Sequence, residues 1–501
     1  MNALGNTAAD PLYQQLADTL EEMIQRRSLR PGDRMPSLRQ FSRQRRVSVP
    51  TALQAYAMLE DRGLLEARPK SGFYVRASRA DAVRPPSAGS PLPRVTDYSK
   101  LDPLQAILAA QNALDLVPLG VALPDPAILP QARMARELSA AARRHSVQCS
   151  TYDVPPGCPA LRGELARRSL DWGCALNPED FILTNGCTEA LSLALHAVCQ
   201  PGDTVAVESP TYFGLAALLQ ELGLKALPIP VDAERGLNLE VLEQALRKTR
   251  VAACAFIPSF HNPVGSCMSD EDKRRLCALL ARRSIPLIED DIYGDLQHTG
   301  PRPRCLRAFD ENVILCSSFS KTPGAGAAAR LHRAGGALEG PRVASQANDH
   351  PGKCRPAFLR SGGVSREGGY ERYLRKVRGI YRQQVNHMRE LLAHALPEGI
   401  ALSRPRGGFV LWCELPKQLD AVQLSRRAQR AGISIAPGPL FSPARGVCPF
   451  HAYQLRISHR REDRGRCDDA GQVGEGHAAT ERVRLAENAG LNSRLNFDTL
   501  E

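Results

Sequence analysis

Lys321 constrains this chain more than any other residue. It stands in Cys316-Ser-Ser-Phe-Ser-Lys-Thr322, downstream of the strand-like run Ile285-Pro-Leu-Ile-Glu-Asp-Asp-Ile-Tyr293. Further upstream, apolar strand-like runs end in polar loops three times more. Asp180-Phe-Ile-Leu leads into Thr184-Asn-Gly-Cys-Thr-Glu-Ala-Leu191, Asp203-Thr-Val-Ala-Val into Glu208-Ser-Pro-Thr-Tyr-Phe-Gly214, and Val251-Ala-Ala-Cys-Ala into Phe256-Ile-Pro-Ser-Phe-His-Asn-Pro-Val-Gly265. The first loop opens an apolar-periodic helix, so the pattern predicts an α/β fold with an open sheet. In such sheets ligands collect beyond the carboxyl ends of the strands, where all these polar residues fall.

Their chemistry is that of one ligand. A lysine amine can form an imine with an aldehyde, and the Ser318 and Ser320 hydroxyls can hold a phosphate. Asp290 supplies a carboxylate that keeps a pyridine nitrogen protonated, and Asn262 can reach a ring hydroxyl with Tyr293 beside it. Tyr212 is placed to stack on the ring. Gly186, Cys187 and Thr188 present amides at a helix N-terminus, where an anion is held. Singly, each has an ordinary alternative: Asn-Pro as a turn, Asp after a strand as a cap, Tyr212 as core. Five in register predict a pyridoxal 5'-phosphate site.

On these motifs, residues 115–458 resemble the fold-type I aminotransferases, the pyridoxal-phosphate-dependent transferases with a large and a small domain. The resemblance implies Lys321 as the residue that attaches the cofactor and Asp290 as partner of its ring nitrogen. It places Asn262 and Tyr293 at the ring hydroxyl, Tyr212 on the ring face, and Gly186, Cys187, Thr188, Ser318 and Ser320 around the phosphate. In Tyr453-Gln-Leu-Arg-Ile-Ser458 it implies Arg456 as the grip on a substrate carboxylate, a role that suits a planar guanidinium.

The front of the chain follows a different pattern. Leu12, Leu16, Leu20 and Ile24 mark an apolar helical stripe. Pro31-Gly-Asp-Arg-Met-Pro36 ends it, and Ser37 caps a short helix, Leu38-Arg-Gln-Phe-Ser-Arg-Gln. Ser48 caps a third helix with Pro50 in its first turn and Leu53, Tyr56, Ala57 and Leu59 expected on one side. Leu64 to Val75 reads as two short strands around a Pro-Lys-Ser-Gly turn. Helix, helix, recognition helix and wing form a winged helix-turn-helix, with Arg34, Arg39, Arg43, Arg45 and Arg46 where phosphates of double-stranded DNA would lie. The segment resembles the GntR-type DNA-binding domain, which implies Arg39, Ser48, Thr51, Lys70 and Gly72 as DNA-facing. Many relatives carry arginine where this chain has Val49.

A GntR-type head (residues 8–77) joined by a Pro/Gly/Ser-rich linker (78–114) to an aminotransferase-like body (115–458) resembles the MocR-type transcription regulators. The resemblance implies a cytoplasmic homodimer that binds DNA and a small amino-compound effector. Two other functions fit the same residues, a catalytic aminotransferase with a DNA-binding appendage and a decayed product. A net charge of +12 over 501 residues accords with an anionic partner. The fourteen cysteines show no paired metal-ligand spacing and read as reduced thiols, and no long apolar run suggests a membrane.

Two stretches break the pattern. From Pro323 to Gly368 hydrophobic periodicity vanishes, and neither a strand nor an amphipathic helix is expected. The resemblance calls for an arginine seven residues after the lysine, where Ala328 stands, and for a strand beyond it. The text resumes in register at Gly369-Tyr-Glu-Arg, as a compensated pair of frameshifts would produce. Residues 459–501 are polar and aperiodic, a composition that predicts disorder or weak helices.

Overall fold

The structure is a computed structural model. It describes residues 11–26, 28–68, 71–76, 78–87, 93–96, 116–149, 155–322, 329–332, 369–396, 398–416, 419–442 and 450–454. The chain divides into two compact units, Met1–Val83 with Asn386–Leu396 and Arg84–Val385 with Pro397–Glu501.

In the first unit, α1 (Leu12–Gln25), α2 (Leu38–Arg45) and α3 (Val49–Asp61) precede two strands, β1 (Leu65–Arg68) and β2 (Gly72–Val75). Both short helices start on the serines expected to cap them. Ser37 Oγ accepts the Gln40 amide and Ser48 Oγ the Thr51 amide, each at 3.2 Å. The strands pair antiparallel with Leu65 opposite Val75 and Arg68 opposite Gly72, whose φ of +106° suits glycine at the tip of a wing. Arg62 Nη1 lies 2.7 Å from Asp18 and 2.8 Å from Glu21, joining α3 to α1.

Two expected core faces differ. Leu12 is 53% exposed, and on α3 Leu53 is 47% exposed with Ala57 also outside. Tyr56 sets the rotation of α3. Its ring lies 5.1 Å from Phe41 and 5.2 Å from Phe73, and its hydroxyl donates to the Pro36 carbonyl at 3.0 Å. Ala52, Ala55, Tyr56 and Leu59 therefore form the buried stripe, and Leu53 falls on the opposite side.

The second unit is built on an eight-stranded sheet. In chain order its elements are β3 (Phe181–Thr184), α4 (Cys187–Val198), β4 (Thr204–Ser209), α5 (Phe213–Glu221), β5 (Lys225–Asp232), β6 (Gly236–Leu237), β7 (Ala253–Phe256), β8 (Leu287–Asp290), β9 (Ile314–Ser318) and β10 (Ala329–His332). Their order across the sheet is β3-β10-β9-β8-β7-β4-β5-β6. The run from β9 to β5 is parallel, so the loops after β4, β7, β8 and β9 leave the sheet on one edge. The parallel strands β4, β5, β7, β8 and β9 are buried on both faces, as parallel sheets demand. A second, four-stranded antiparallel sheet contains Ala401–Leu402, Val410–Glu414, Phe450–Gln454 and Ala436–Pro437 in that order. The long helix Gly369–Ala395 buries Tyr370, Leu374, Val377 and Tyr381, and the Tyr381 ring stacks on Phe409 at 4.5 Å.

β10 corrects the expectation that no strand forms between Pro323 and Gly368. Ala329–His332 pairs antiparallel with both β9 and β3. Those neighbours would otherwise each leave a row of backbone donors and acceptors unpaired within the sheet, so a four-residue strand forms without help from a side-chain pattern.

Candidate cofactor site

The loop ends of β8 and β9 and the start of α4 bring the predicted residues together. Asp290 ends β8 and is only 5% exposed. Its Oδ1 accepts the Cys187 thiol at 3.4 Å and the Ile292 amide at 3.2 Å, and among the described residues no hydrogen bond reaches Oδ2. Burial raises its pKa from 3.8 to about 6, against the lowering by those two donors. Such a carboxylate has one face open to a cationic N–H.

Lys321 follows β9, and its Nζ donates to the Ala122 carbonyl at 2.5 Å. Burial depresses its pKa from 10.5 to about 8, while Asp290 and Cys187 act in the opposite sense. At pH 7 roughly a tenth of such an amine is neutral, against about one part in three thousand for an ordinary lysine. Tyr212 precedes α5 and feels both Asp290 and Cys187. Burial first, then those two groups, push its hydroxyl up to about 12. Asn262 Nδ2 lies 3.5 Å from the Tyr293 hydroxyl, and burial raises that phenol strongly.

The start of α4, where a phosphate is expected, is uncapped. Gly186 takes φ of +122° at the N-cap of α4, without a side-chain cap for the first amides of the helix. A Cβ built on Gly186 would meet nothing within 4 Å, so the space in front of the helix is open. Ser318 Oγ accepts the Ser320 amide at 3.0 Å. An uncapped helix start facing open space, beside serines, a buried carboxylate and a nucleophilic amine, is a donor set that fits pyridoxal phosphate.

Sequence reasoning missed several contributors. The Ala122 carbonyl that accepts the Lys321 N–H is remote in the chain and has no local signature. Glu208 and His261 form a buried pair, Oε2 to Nε2 at 3.6 Å, and Glu208 also takes the Ile257 amide at 2.9 Å. This pair braces the loop that carries Asn262, and a glutamate after an apolar strand was its only hint. Cys187 was expected at the phosphate through its amide, whereas its thiol binds Asp290. Of the remaining predicted residues, Thr188 is exposed at the start of α4, and Arg39, Ser48 and Gly72 are exposed on the first unit with Thr51 partly so. Lys70 and Arg456 lie outside the described residues, as do Ala328 and residues 459–501.

The fold and site define a two-part molecule, a winged helix-turn-helix head with a fold-type I aminotransferase-like body. Residues 122–458 match the family model "Aminotransferase class I and II", and residues 12–75 match "Bacterial regulatory proteins, gntR family". The chain is 36% identical to the uncharacterized HTH-type transcriptional regulator YjiR of Escherichia coli K12, over 86% of this chain and 92% of YjiR. It is 34% identical to the similarly described YdcR of the same organism, over 88% and 94%. Among solved structures, it resembles LysN, the alpha-aminoadipate aminotransferase of Thermus thermophilus complexed with N-(5'-phosphopyridoxyl)-L-leucine. There the TM-score is 0.65 and the identity 25%, covering 71% of this chain and 89% of LysN. The chain belongs to the aminotransferase class I and II family and, by its gntR head, to the MocR-type regulators within it. The cofactor of that family is pyridoxal 5'-phosphate.

Proposed function

We propose that this protein is a pyridoxal-phosphate-dependent transcription regulator whose body senses an amino acid or amine and whose dimer responds by changing its hold on DNA. The observation that carries the reading is the convergence of Lys321, Asp290 and Tyr212 in a chain that also bears a gntR head. Among the described residues no helix is long and apolar enough to cross a membrane, and the proposed compartment is the cytoplasm.

Pyridoxal phosphate supplies an aldehyde that condenses with amines and a ring that withdraws electrons from them. The chain's own residues hold and orient it. Asp290 would bind the protonated ring nitrogen, Asn262 and Tyr293 would bind the ring hydroxyl, and Tyr212 would cover the ring face. The amides of Gly186, Cys187 and Thr188 and the hydroxyls of Ser318 and Ser320 would hold the phosphate. Lys321 would present the amine to the aldehyde, and Arg456 would take the carboxylate of an amino compound. On the head, Arg39, Ser48, Thr51, Lys70 and Gly72 face DNA.

The test begins with an absorbance spectrum of the protein mixed with pyridoxal phosphate. A band in the yellow-absorbing region is expected, and it is lost in Lys321→Ala. Duplex affinity that shifts with added amino compounds, without turnover, supports the sensor. A second reading, a catalytic aminotransferase, is favoured by the lowered pKa of Lys321, which lets one amine take and return a substrate proton near neutral pH. Steady amino transfer to a keto acid, abolished by Lys321→Ala, would establish that activity.

A further inference from the structure

The outward face of α3 is apolar where a DNA-reading helix meets bases. Val49 is 42% and Leu53 47% exposed, one turn apart, with Pro50 and Ala57 exposed beside them. Residues 49–60 contain no lysine, arginine, asparagine or aspartate. The Ser48 and Thr51 hydroxyls are engaged with one another at 2.7 Å. Gln54 is the exposed amide on this face, and Glu60 lies farther along. On α2 and just after it, Arg39, Arg43, Arg45 and Arg46 are all exposed. The head thus offers an apolar stripe bordered by guanidinium groups.

Such a surface complements one kind of major-groove floor. Guanine is read by arginine or lysine, and cytosine by a carboxylate. Adenine is read by asparagine or glutamine, and thymine through its C5-methyl group by apolar side chains. The arginines supply sequence-independent attraction to the phosphates on either side of the groove. We propose that Val49 and Leu53 read thymine methyl groups, with Gln54 on adenine, so that the base pairs beneath α3 in each half-site are A·T. This rests on the reading of the head as a DNA-binding domain and adds the identity of the bases it selects.

The experiment uses the full-length protein and a random-sequence duplex library. Selection is expected to enrich A·T pairs in each half-site. Replacing the selected thymines by deoxyuridine removes only the methyl groups, and affinity should fall about fourfold per methyl read. That difference should shrink in Leu53→Ala and in Val49→Ala and shrink further when both are replaced, while Leu53→Arg should move the selected base toward guanine. Both side chains are exposed, so these variants leave the head's core untouched. Enriched G·C half-sites, or deoxyuridine duplexes bound as well as thymidine ones, would overturn the proposal while leaving DNA binding intact. Failure to bind any duplex at low salt would instead overturn the reading on which it rests.

Discussion

The Cys187 thiol donates to Asp290 Oδ1 across 3.4 Å, joining the first residue of α4 to the last residue of β8. Burial and the nearby Asp290 charge raise the Cys187 pKa well above its usual value, so the group stays a protonated donor. Asp290 is also raised, from 3.8 to about 6, and the stability consequence has a definite sign. Between those values the folded state holds the proton more tightly than the unfolded chain. Without cofactor, the contribution of Asp290 to stability is therefore present at low pH and lost as pH rises from about 4 through 6. The difference is on the order of 3 kcal/mol at most. Burial also raises the Glu289 and Asp291 carboxyls, so Asp290→Asn is the comparison. Urea unfolding at pH 4.5 and 7 should show a smaller loss in the variant than in the parent.

Lys321 behaves in the opposite direction. Its amine is charged in the unfolded chain up to the usual 10.5 but only to about 8 when folded. Its contribution to stability rises as pH climbs through that interval, because the unfolded chain then binds more protons. The same depression governs cofactor attachment. The rate of band appearance with pyridoxal phosphate should rise roughly tenfold per pH unit below about 8 and level off above it, following the neutral amine. Stopped-flow absorbance from pH 6.5 to 9.5 measures this, and a rate still climbing tenfold per unit up to pH 9.5 would contradict the burial of the amine.

The site was legible because its residues end strands. An apolar run followed by Asn-Pro, Glu-Ser-Pro or Asp-Asp is a local signal, and parallel pairing then brings the loop ends to one edge. Asp290, Tyr212, Asn262 and Lys321 were readable on that basis. The Ala122 carbonyl was not, since only the folded chain brings it to Lys321. Leu53 was misplaced for a packing reason. Helical spacing alone allows Tyr56 and Leu59 to face inward with either Leu53 and Ala57 or Ala52 and Ala55, and the Tyr56 contacts to Phe41, Phe73 and Pro36 select the latter. β10 was hidden because its reason for forming lies in β3 and β9, not in its own four residues.

Gly407 sits against Phe260, itself at φ of +54° and buried two residues before Asn262. A Cβ on Gly407 would lie 2.5 Å from the Phe260 ring, closer than real atoms approach. Gly407→Ala should therefore cost about 1–3 kcal/mol by overpacking. It should also weaken pyridoxal phosphate binding, because the displaced ring shifts the Asn262 loop. Phe260→Leu should relieve part of the cost in the double variant, a non-additivity that a denaturation cycle detects. Additive losses would place the strain elsewhere.

The head carries its own vulnerable point at Arg62. The guanidinium is almost fully buried beside Glu21, which is buried too, and it also holds Asp18. Removing one member of a buried ion pair leaves the other charge without compensation, at a cost of about 3–5 kcal/mol. Arg62→Ala should thus open α1 and α3, raise their amide hydrogen exchange, and weaken DNA binding without altering the pyridoxal phosphate band. Arg62→Met with Glu21→Gln removes both charges while keeping much of the volume, and should recover most of the protection. Exchange unchanged in Arg62→Ala would mean that Glu21 finds water or another donor once the guanidinium is gone.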